Sequence, residues 1–260
     1  SIDGGIPKAT NWMVVGDPGS GKSSVTLDLI SNAKKNGARV LFISAEMNKV
    51  DLYLYVKRYP KFGDLDIFFP QELDDEQNPK EAIEALLKTG YDIVLIDSFI
   101  ELQEIIKDYT DLPTKKVENY LLSLMYQQNL ANNDLGKPTS FLNIQQVTKG
   151  GVFVGSNKLK HLTSGMMEIR FVDPDTQEER YIMFSKNRRG HVGKRMYFDL
   201  ASKGDVTYDH SRFKKSEELK ELKKKEAEKI KESSKDFDVL FGLNGEKEQD
   251  DDQHITIEDD

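Results

Sequence analysis

Five short apolar runs, separated by segments with helical periodicity, most constrain what this chain can fold into. Several are apolar at consecutive positions, which is typical of strands buried on both faces. The runs are WMVVG (12–16), RVLFISA (39–45), LDIFFP (65–70), YDIVLID (91–97) and SFLNIQQV (140–147). Helices are predicted at about 22–36, 49–59, 79–89 and 114–131. The alternation predicts an α/β fold with a mostly parallel central sheet flanked by helices.

The composition changes late in the chain. Further strands are predicted at about 166–172, 180–185 and 195–200, and the first two form a hairpin at one edge of the sheet. We expect a folded domain over 1–210, a charged helical extension over 211–236 and an acidic, disordered tail over 237–260. The charged helix is either a solvated extension or a docking element for a neighbouring copy or DNA, and the pattern favours the first.

The bulk composition excludes some classes of protein. The sequence lacks cysteine, so disulfides, zinc ribbons and thiolate nucleophiles are excluded. The apolar runs are too short to span a membrane, so we expect a cytoplasmic protein with no membrane partner. The net charge is −8, but residues 246–260 hold eight acids and one lysine. The remainder is nearly neutral, so the acidic total does not argue against nucleic-acid binding.

The stretch GDPGSGKS, from Gly16 to Ser23, fits the phosphate-binding pattern G-x-x-x-x-G-K-[ST] between a predicted strand and a predicted helix. Glycines allow close backbone approach to an anion, and the helix N-terminus favours negative charge. We expect Lys22 to reach the β- and γ-phosphates of ATP and Ser23 to bind Mg²⁺. The predicted nucleotide-binding residues are Gly16, Asp17, Pro18, Gly19, Ser20, Gly21, Lys22, Ser23 and Ser24. A glycine-rich turn without a ligand is the alternative.

Three polar residues at strand ends are candidates for the remaining chemistry. Asp97 ends an apolar strand and is predicted to hold Mg²⁺, directly or through water. Glu46 follows the second strand and is the general-base candidate, with a helix-capping or surface glutamate as the alternative. Gln145 and Gln146 end another strand and point to opposite faces. One of them contacts the γ-phosphate, or both are structural amides.

Several segments together resemble the RecA-like ATPase core of the RadA/Sms DNA-repair proteins, a core similar to that of DnaB-type replicative helicases. They are GGIPKATNWMVVGDPGSGKSS, LFISAE, IVLIDS, QQVTKGGVFVGSNKLKHLTSGMMEIRF and FSKNRRG, within residues 3–200. The resemblance implies a hexameric ring or helical filament on single-stranded DNA, with ATP bound between subunits. It places the catalytic glutamate at Glu46, the Walker B aspartate at Asp97 and the sensor at Gln146. The family's lysine–arginine motif falls on Lys186 and Arg188.

The sequence departs from that family in places. Gln146 stands where histidine is typical of RadA, and Arg189 where an aromatic is usual, so no role is assigned to Arg189. The family's zinc finger and Lon-protease-like domain have no counterpart in this sequence. We therefore expect an ATPase core alone, of a kind plausible for a phage or mobile element.

Lys186 and Arg188 are two residues apart at a strand end, so their side chains can point the same way. We expect them to reach the ATP of a neighbouring subunit, where a cation supplied in trans neutralises charge on the transferred phosphoryl group. A patch that binds DNA phosphates and a solvated turn are the alternatives.

The glycine-rich segment 148–161 follows the sensor strand and carries Lys149, Lys158 and Lys160. We expect these lysines to hold a DNA backbone without sequence preference. The segment 98–116 is a weaker candidate for a second DNA-facing loop. The acidic tail either occupies the basic loops as a DNA mimic, recruits a protein partner, or only solubilises the chain.

These features favour an ATP-dependent motor on single-stranded DNA, acting in recombination, repair or replication as a helicase or branch-migration ATPase. A RecA-type strand-exchange filament is the second hypothesis. A nucleotide-switched DNA-binding scaffold or loader with little turnover is the third.

Overall fold

The structure, a computed structural model, describes residues 6–74, 76–146, 159 and 162–240. The chain divides into two compact units, Ser1–His210 and Ser211–Asp260. The strands are β1 (Asn11–Gly16), β2 (Val40–Ser44), β3 (Asp66–Phe68), β4 (Ile93–Asp97), β5 (Ser140–Gln146), β6 (Gly165–Phe171), β7 (Arg180–Asn187), β8 (Arg195–Leu200) and β9 (Val206–Tyr208). The helices are α1 (Lys22–Lys35), α2 (Lys49–Arg58), α3 (Pro79–Lys88), α4 (Phe99–Thr110), α5 (Thr114–Asn129) and α6 (His210–Leu240).

The nine described strands form one sheet in the order β3-β2-β4-β5-β1-β6-β7-β8-β9. Along this order, the strands from β3 to β6, which include β2 and β1, pair in parallel. The strands from β6 to β9 pair antiparallel. The predicted mostly parallel α/β architecture is therefore confirmed. The β6–β7 hairpin exists, but its predicted place at the sheet edge is wrong, because β8 and the unpredicted β9 lie outside it.

The parallel strands are buried because helices cover both faces, as consecutive apolar residues require. One apolar cluster joins the sheet to α1 and α2, and the other joins it to α3, α4 and α5. Leu95 and Ile96, neighbours on β4, lie in different clusters and show the alternation of faces directly.

The proposed second DNA-facing loop at 98–116 is wrong. Most of it is helix α4, and α5 begins within its last residues. Phe99, Leu102 and Ile106 lie at helical spacing and each has 0% of its surface exposed. This apolar face docks on the sheet because its burial removes hydrocarbon from water, which an exposed loop would not do.

Helix α6 runs for 31 residues, beyond the predicted 211–236 at both ends. Leu219 and Leu222 are exposed along it. Residues 241–260 of the acidic tail lie outside the described residues. Within the described part of the chain, no helix is long and apolar enough to cross a membrane.

Candidate nucleotide-binding site

The phosphate-binding segment forms a tight turn between β1 and α1. Gly16 passes so close to β6 that a Cβ atom there would lie 1.8 Å from the carbonyl oxygen of Ile169. Gly19 and Gly21 have φ angles of 74° and 97°, in the left-handed region that favours glycine. Helix α1 begins at Lys22, directly after the turn. The segment therefore presents backbone N–H groups and a helix N-terminus to one concave space.

Lys22 lies across the mouth of this turn. Its ammonium group donates to the carbonyl oxygens of Gly16, at 3.0 Å, and Asp17, at 2.9 Å. Burial lowers the pKa of Lys22, although the carboxylates of Asp97, Glu46 and Asp17 oppose that shift. The structure therefore places this cation at the phosphate turn, held by two backbone carbonyl oxygens through charge-assisted hydrogen bonds.

Ser20, one of the predicted nucleotide-binding residues, does not line the cleft. It is 0% exposed, and its hydroxyl oxygen has no hydrogen-bond partner within the described part of the chain. Buried hydroxyl groups normally have a partner. The structure therefore places the Ser20 side chain inside the turn, and a contact of this residue with phosphate would use its backbone N–H group.

Ser23 and Asp97 meet although 74 residues separate them. The Ser23 hydroxyl donates to Asp97 Oδ2 at 2.6 Å. Asp97 is 3% exposed, and burial raises its pKa to about 6; the nearby Glu46 charge adds to that rise, while the Ser23 hydrogen bond and the Lys22 charge oppose it. The Asp97 carboxylate and the Ser23 hydroxyl both offer oxygen atoms, the kind of ligand that Mg²⁺ prefers.

Glu46 is fixed beside Asp97 by the backbone. The N–H groups of Ala45 and Glu46 both donate to the carbonyl oxygen of Asp97, at 2.7 and 3.0 Å. The Glu46 side chain itself is exposed at the rim of the cleft. This is the position that a base needs to accept a proton from a water in the cleft.

A cleft of about 750 Å³ brings the phosphate turn together with Lys22, Ser23, Glu46 and Asp97. The sheet explains this meeting, because β5 lies between β1 and β4 and all three strands end at the same edge. Their catalytic and metal-binding roles remain predictions.

The opposite wall of the cleft was missed by sequence reasoning. It contains Tyr55, Arg58 and Tyr59 near the end of α2, together with Arg180 and the segment 200–202. The Ser24 and Tyr55 hydroxyl oxygens lie 2.5 Å apart. No phosphate-binding motif includes these residues, and only the fold brings them to the cleft.

Asp17 joins the phosphate turn to β6. Its Oδ1 accepts a hydrogen bond from Arg170 Nη1 at 3.0 Å, and Arg170 Nε donates to Glu168 at 2.7 Å. Sequence reasoning assigned Asp17 to the nucleotide site but gave no sign of this ion pair.

Lys186 and Arg188 lie near the start of the parallel strands β1 and β6, at the edge of the sheet away from the phosphate turn. Gly16 pairs with Ile169, whereas Lys186 pairs with Met166, three β6 residues away. Lys186 therefore lies about 10 Å from the level of the phosphate turn, toward the start of β1. The Lys186 ammonium donates to the Thr163 carbonyl at 2.6 Å. The structure therefore does not bring these two cations to their own chain's cleft.

The remaining predicted residues divide in two groups. The backbone of Gln146 pairs with Gly16 at the edge of the cleft, while the neighbouring Gln145 is buried. Lys149, Lys158 and Lys160 lie outside the described residues.

Comparison with known proteins gives a consistent result. A family described as "ATPase: KaiC" matches residues 1–67. The DNA repair protein RadA of Campylobacter jejuni is 27% identical over 206 residues, which cover 79% of this chain and 43% of that protein. Protein RecA of Streptomyces coelicolor is 27% identical over 252 residues, which cover 92% of this chain and 57% of that protein. The chain thus spans about half the length of these curated relatives.

A solved structure has the same fold. The KaiC-like protein PH0186 from Pyrococcus horikoshii OT3 superposes with a TM-score of 0.59 at 18% identity, covering 80% of this chain and 92% of the other. At that identity the likeness concerns the fold alone.

Proposed function

We propose that this chain, which has a RecA-fold ATPase core, hydrolyses Mg·ATP between adjacent copies of itself on single-stranded DNA. One observation carries the proposal. The phosphate turn with its polar partners lies at one edge of the sheet, whereas Lys186 lies about 10 Å away along the strands and Arg188 follows in the turn after β7. In this proposal one copy binds the nucleotide, and the next copy completes the site.

Each residue of the cleft has a role in this chemistry. Lys22 and the backbone N–H groups of the turn bind the β- and γ-phosphates, and Ser23 and Asp97 hold the metal ion. Mg²⁺, when bound, neutralises charge on the β- and γ-phosphate oxygens. Glu46 accepts a proton from the attacking water, and Asp97 fixes its backbone.

Lys186 and Arg188 act on the neighbouring copy's nucleotide. Charge spreads over the γ-phosphoryl oxygens in the transition state, and a cation supplied from another subunit stabilises it, typically by 10³–10⁵ in rate. Because the two residues are supplied by another copy, hydrolysis depends on assembly into a ring or filament.

DNA binding belongs to the proposal through sequence and relatives. In this proposal the DNA backbone is bound by Lys149, Lys158 and Lys160, which follow β5 in the sequence. The backbone of Gln146, the last residue of β5, lies level with Gly16. The names of the relatives, a DNA repair protein and RecA, support action in DNA repair or recombination. Helicase or translocase activity is the finer part of the proposal.

The second candidate is a strand-exchange filament. It is favoured by the RecA relative, whose match covers 92% of this chain. Homologous pairing supported by a non-hydrolysable ATP analogue would favour the filament. Unwinding of a forked duplex that requires hydrolysis would favour the motor.

The decisive experiment measures ATP turnover with and without single-stranded DNA while the mass of the complex is determined. The motor proposal expects DNA to stimulate turnover and an oligomer to form. Lys22→Ala protein is the control for contaminating ATPase. ATP-dependent DNA binding without DNA-stimulated turnover would instead indicate a nucleotide-switched scaffold.

A further inference from the structure

Strand β7 carries another cation, Arg180, at the end nearest the phosphate turn. Arg180 pairs with Phe171, two residues beyond the Ile169 level at which Gly16 lies. It lines the same cleft as Lys22. Lys186, by contrast, pairs with Met166, five β6 residues or about 17 Å from Phe171, so the two cations lie toward opposite edges of the sheet.

The guanidinium of Arg180 is held in place but is not saturated. Its carbon lies 5.0 Å from the centre of the Phe171 ring, a cation–π arrangement that fixes the plane of the group. Its Nε is buried and meets no hydrogen-bond acceptor among the described residues. Because Nε is closed off even from water, a ligand in the cleft would meet the terminal Nη donors of Arg180, which lines that cleft.

Position decides which part of a nucleotide lies near Arg180. The metal-binding pair is completed from β4, two strands to one side of β1, whereas β7 lies two strands to the other side. An ATP molecule whose γ-phosphate lies near Asp97 must extend its ribose and base away from that side.

The surroundings of Arg180 form a compartment for that end of the nucleotide. Leu200 lies against the phosphate turn, where a Cβ on Gly21 would be 2.6 Å from its Cδ1. Tyr59 packs on Gly204 and closes the space between α2 and the turn that follows β8. Aromatic and aliphatic walls with a few polar groups are typical of a nucleoside site.

We propose that Arg180 binds the ribose and base of the nucleotide held in its own chain's cleft. This inference rests on the proposed function, because it requires that the cleft bind a nucleotide. In this account Arg180, at the start of β7, contacts the nucleotide of its own copy. Lys186, near the end of β7, and Arg188, in the turn that follows, contact the nucleotide of the neighbouring copy.

The test is a calorimetric titration of the full chain, with Mg²⁺ present, using ADP and inorganic tripolyphosphate as ligands. Tripolyphosphate fills the phosphate turn but has no nucleoside. Arg180→Gln should weaken ADP binding about tenfold or more, the size expected for a charged hydrogen bond, and leave tripolyphosphate binding within twofold. Arg195→Gln is the matched control, because Arg195 also lies over an aromatic ring, 4.4 Å from the centre of Tyr181, but does not line the cleft.

Two outcomes would overturn the inference while leaving the nucleotide site intact. Unchanged ADP binding by Arg180→Gln would remove the contact, and equal weakening of both ligands would assign Arg180 to the phosphates. If Arg180→Gln unfolds, Arg180→Lys decides, and it should still weaken ADP binding at least threefold but not tripolyphosphate binding. If the unaltered chain binds neither ligand, the proposed function fails as well.

Discussion

The parallel and antiparallel parts of the sheet differ in what they bring to the nucleotide. In the parallel part of the sheet, from β3 to β6 in the sheet order, all strands end at the same edge. Gly16, Asp97 and Glu46, which lies two residues after β2, therefore converge without any special loop. In β6 through β9, the direction alternates, and successive turns lie at opposite edges. The parallel part therefore builds a site, and the antiparallel part presents cations at both edges.

This difference explains why one copy is an incomplete catalyst in our account. The parallel part holds phosphate, metal ligands and base within one cleft. The turn after β7 points away from that cleft and carries Arg188, whose backbone N–H donates to the Ser164 carbonyl at 3.0 Å. The variants below separate the contributions of the two parts.

The largest effect is expected from the antiparallel part. Arg188→Ala should lower DNA-stimulated ATP turnover about 10³-fold, because it removes a cation that acts only in the transition state, and ADP binding should stay unchanged. Arg189→Ala is the matched control, since Arg189 donates to the Lys8 carbonyl and has no assigned role. If Arg188→Ala turns over ATP within tenfold of the unaltered chain, Arg188 does not stabilise the transition state in a neighbouring copy's site.

In the parallel part, Glu46→Gln should lower turnover about 10²- to 10³-fold, because the amide cannot accept the proton of the attacking water. ATP should remain bound, since Glu46 makes no contact needed for the phosphate turn. Glu101→Gln, at an exposed glutamate in the first turn of α4, is the control. A steady-state turnover assay and a separate ATP-binding measurement check both points. Loss of ATP binding would show that Glu46 does more than accept a proton from the attacking water.

Asp97→Asn should stabilise the nucleotide-free protein at alkaline pH. The folded-state pKa of Asp97, about 6, lies above the ordinary 3.8 of an unfolded aspartate, mainly because of burial. The folded protein then binds more protons between these values, so this carboxyl makes stability fall as pH rises through that window. The asparagine variant should gain up to about 3 kcal/mol at pH 8 and nothing near pH 3.

Denaturant unfolding of both proteins across pH measures this effect. The same variant should lose Mg²⁺-dependent turnover, which separates stability from function. If Asp97→Asn leaves the pH dependence of the unfolding free energy unchanged, burial does not raise the folded-state pKa of Asp97.

The smallest effect is expected where the two parts meet. Asp17→Asn removes the charge that pairs with Arg170 of β6, and both side chains are partly exposed, at 26% and 21%. A loss of about 1 kcal/mol or less in unfolding free energy follows from such screening. Asp66→Asn, at the exposed Lys34–Asp66 pair, is a comparable control for denaturant unfolding. A loss of several kcal/mol would mean that the ion pair holds the phosphate turn in shape.

Sequence alone predicted the parallel part of this fold well. Consecutive apolar residues and a phosphate-binding motif are local signals, and they located β1 through β5 and the convergence of Lys22, Ser23, Glu46 and Asp97 at one edge. The far wall of the cleft was not predictable. Tyr55 and Arg180 come from segments 125 positions apart whose meeting depends on the sheet order.

Two other features escaped for physical reasons. Helix α4 was mistaken for a loop although Phe99, Leu102 and Ile106 have helical spacing and form the buried face that the structure shows. Strand β9 has only three residues, too few for a periodic pattern to stand out in the sequence, and it is defined by its pairing with β8.

The central claim, a site shared by two copies, is tested most directly by mixing two inactive proteins. The Lys22→Ala protein lacks the lysine of the phosphate turn but keeps Arg188. The Arg188→Ala protein keeps Lys22 but lacks the cation for the neighbouring site. When co-assembly on single-stranded DNA is verified, the mixture should recover turnover well above either protein alone, because mixed interfaces contain one complete site. A mixture that co-assembles and stays as inactive as its components would contradict the account.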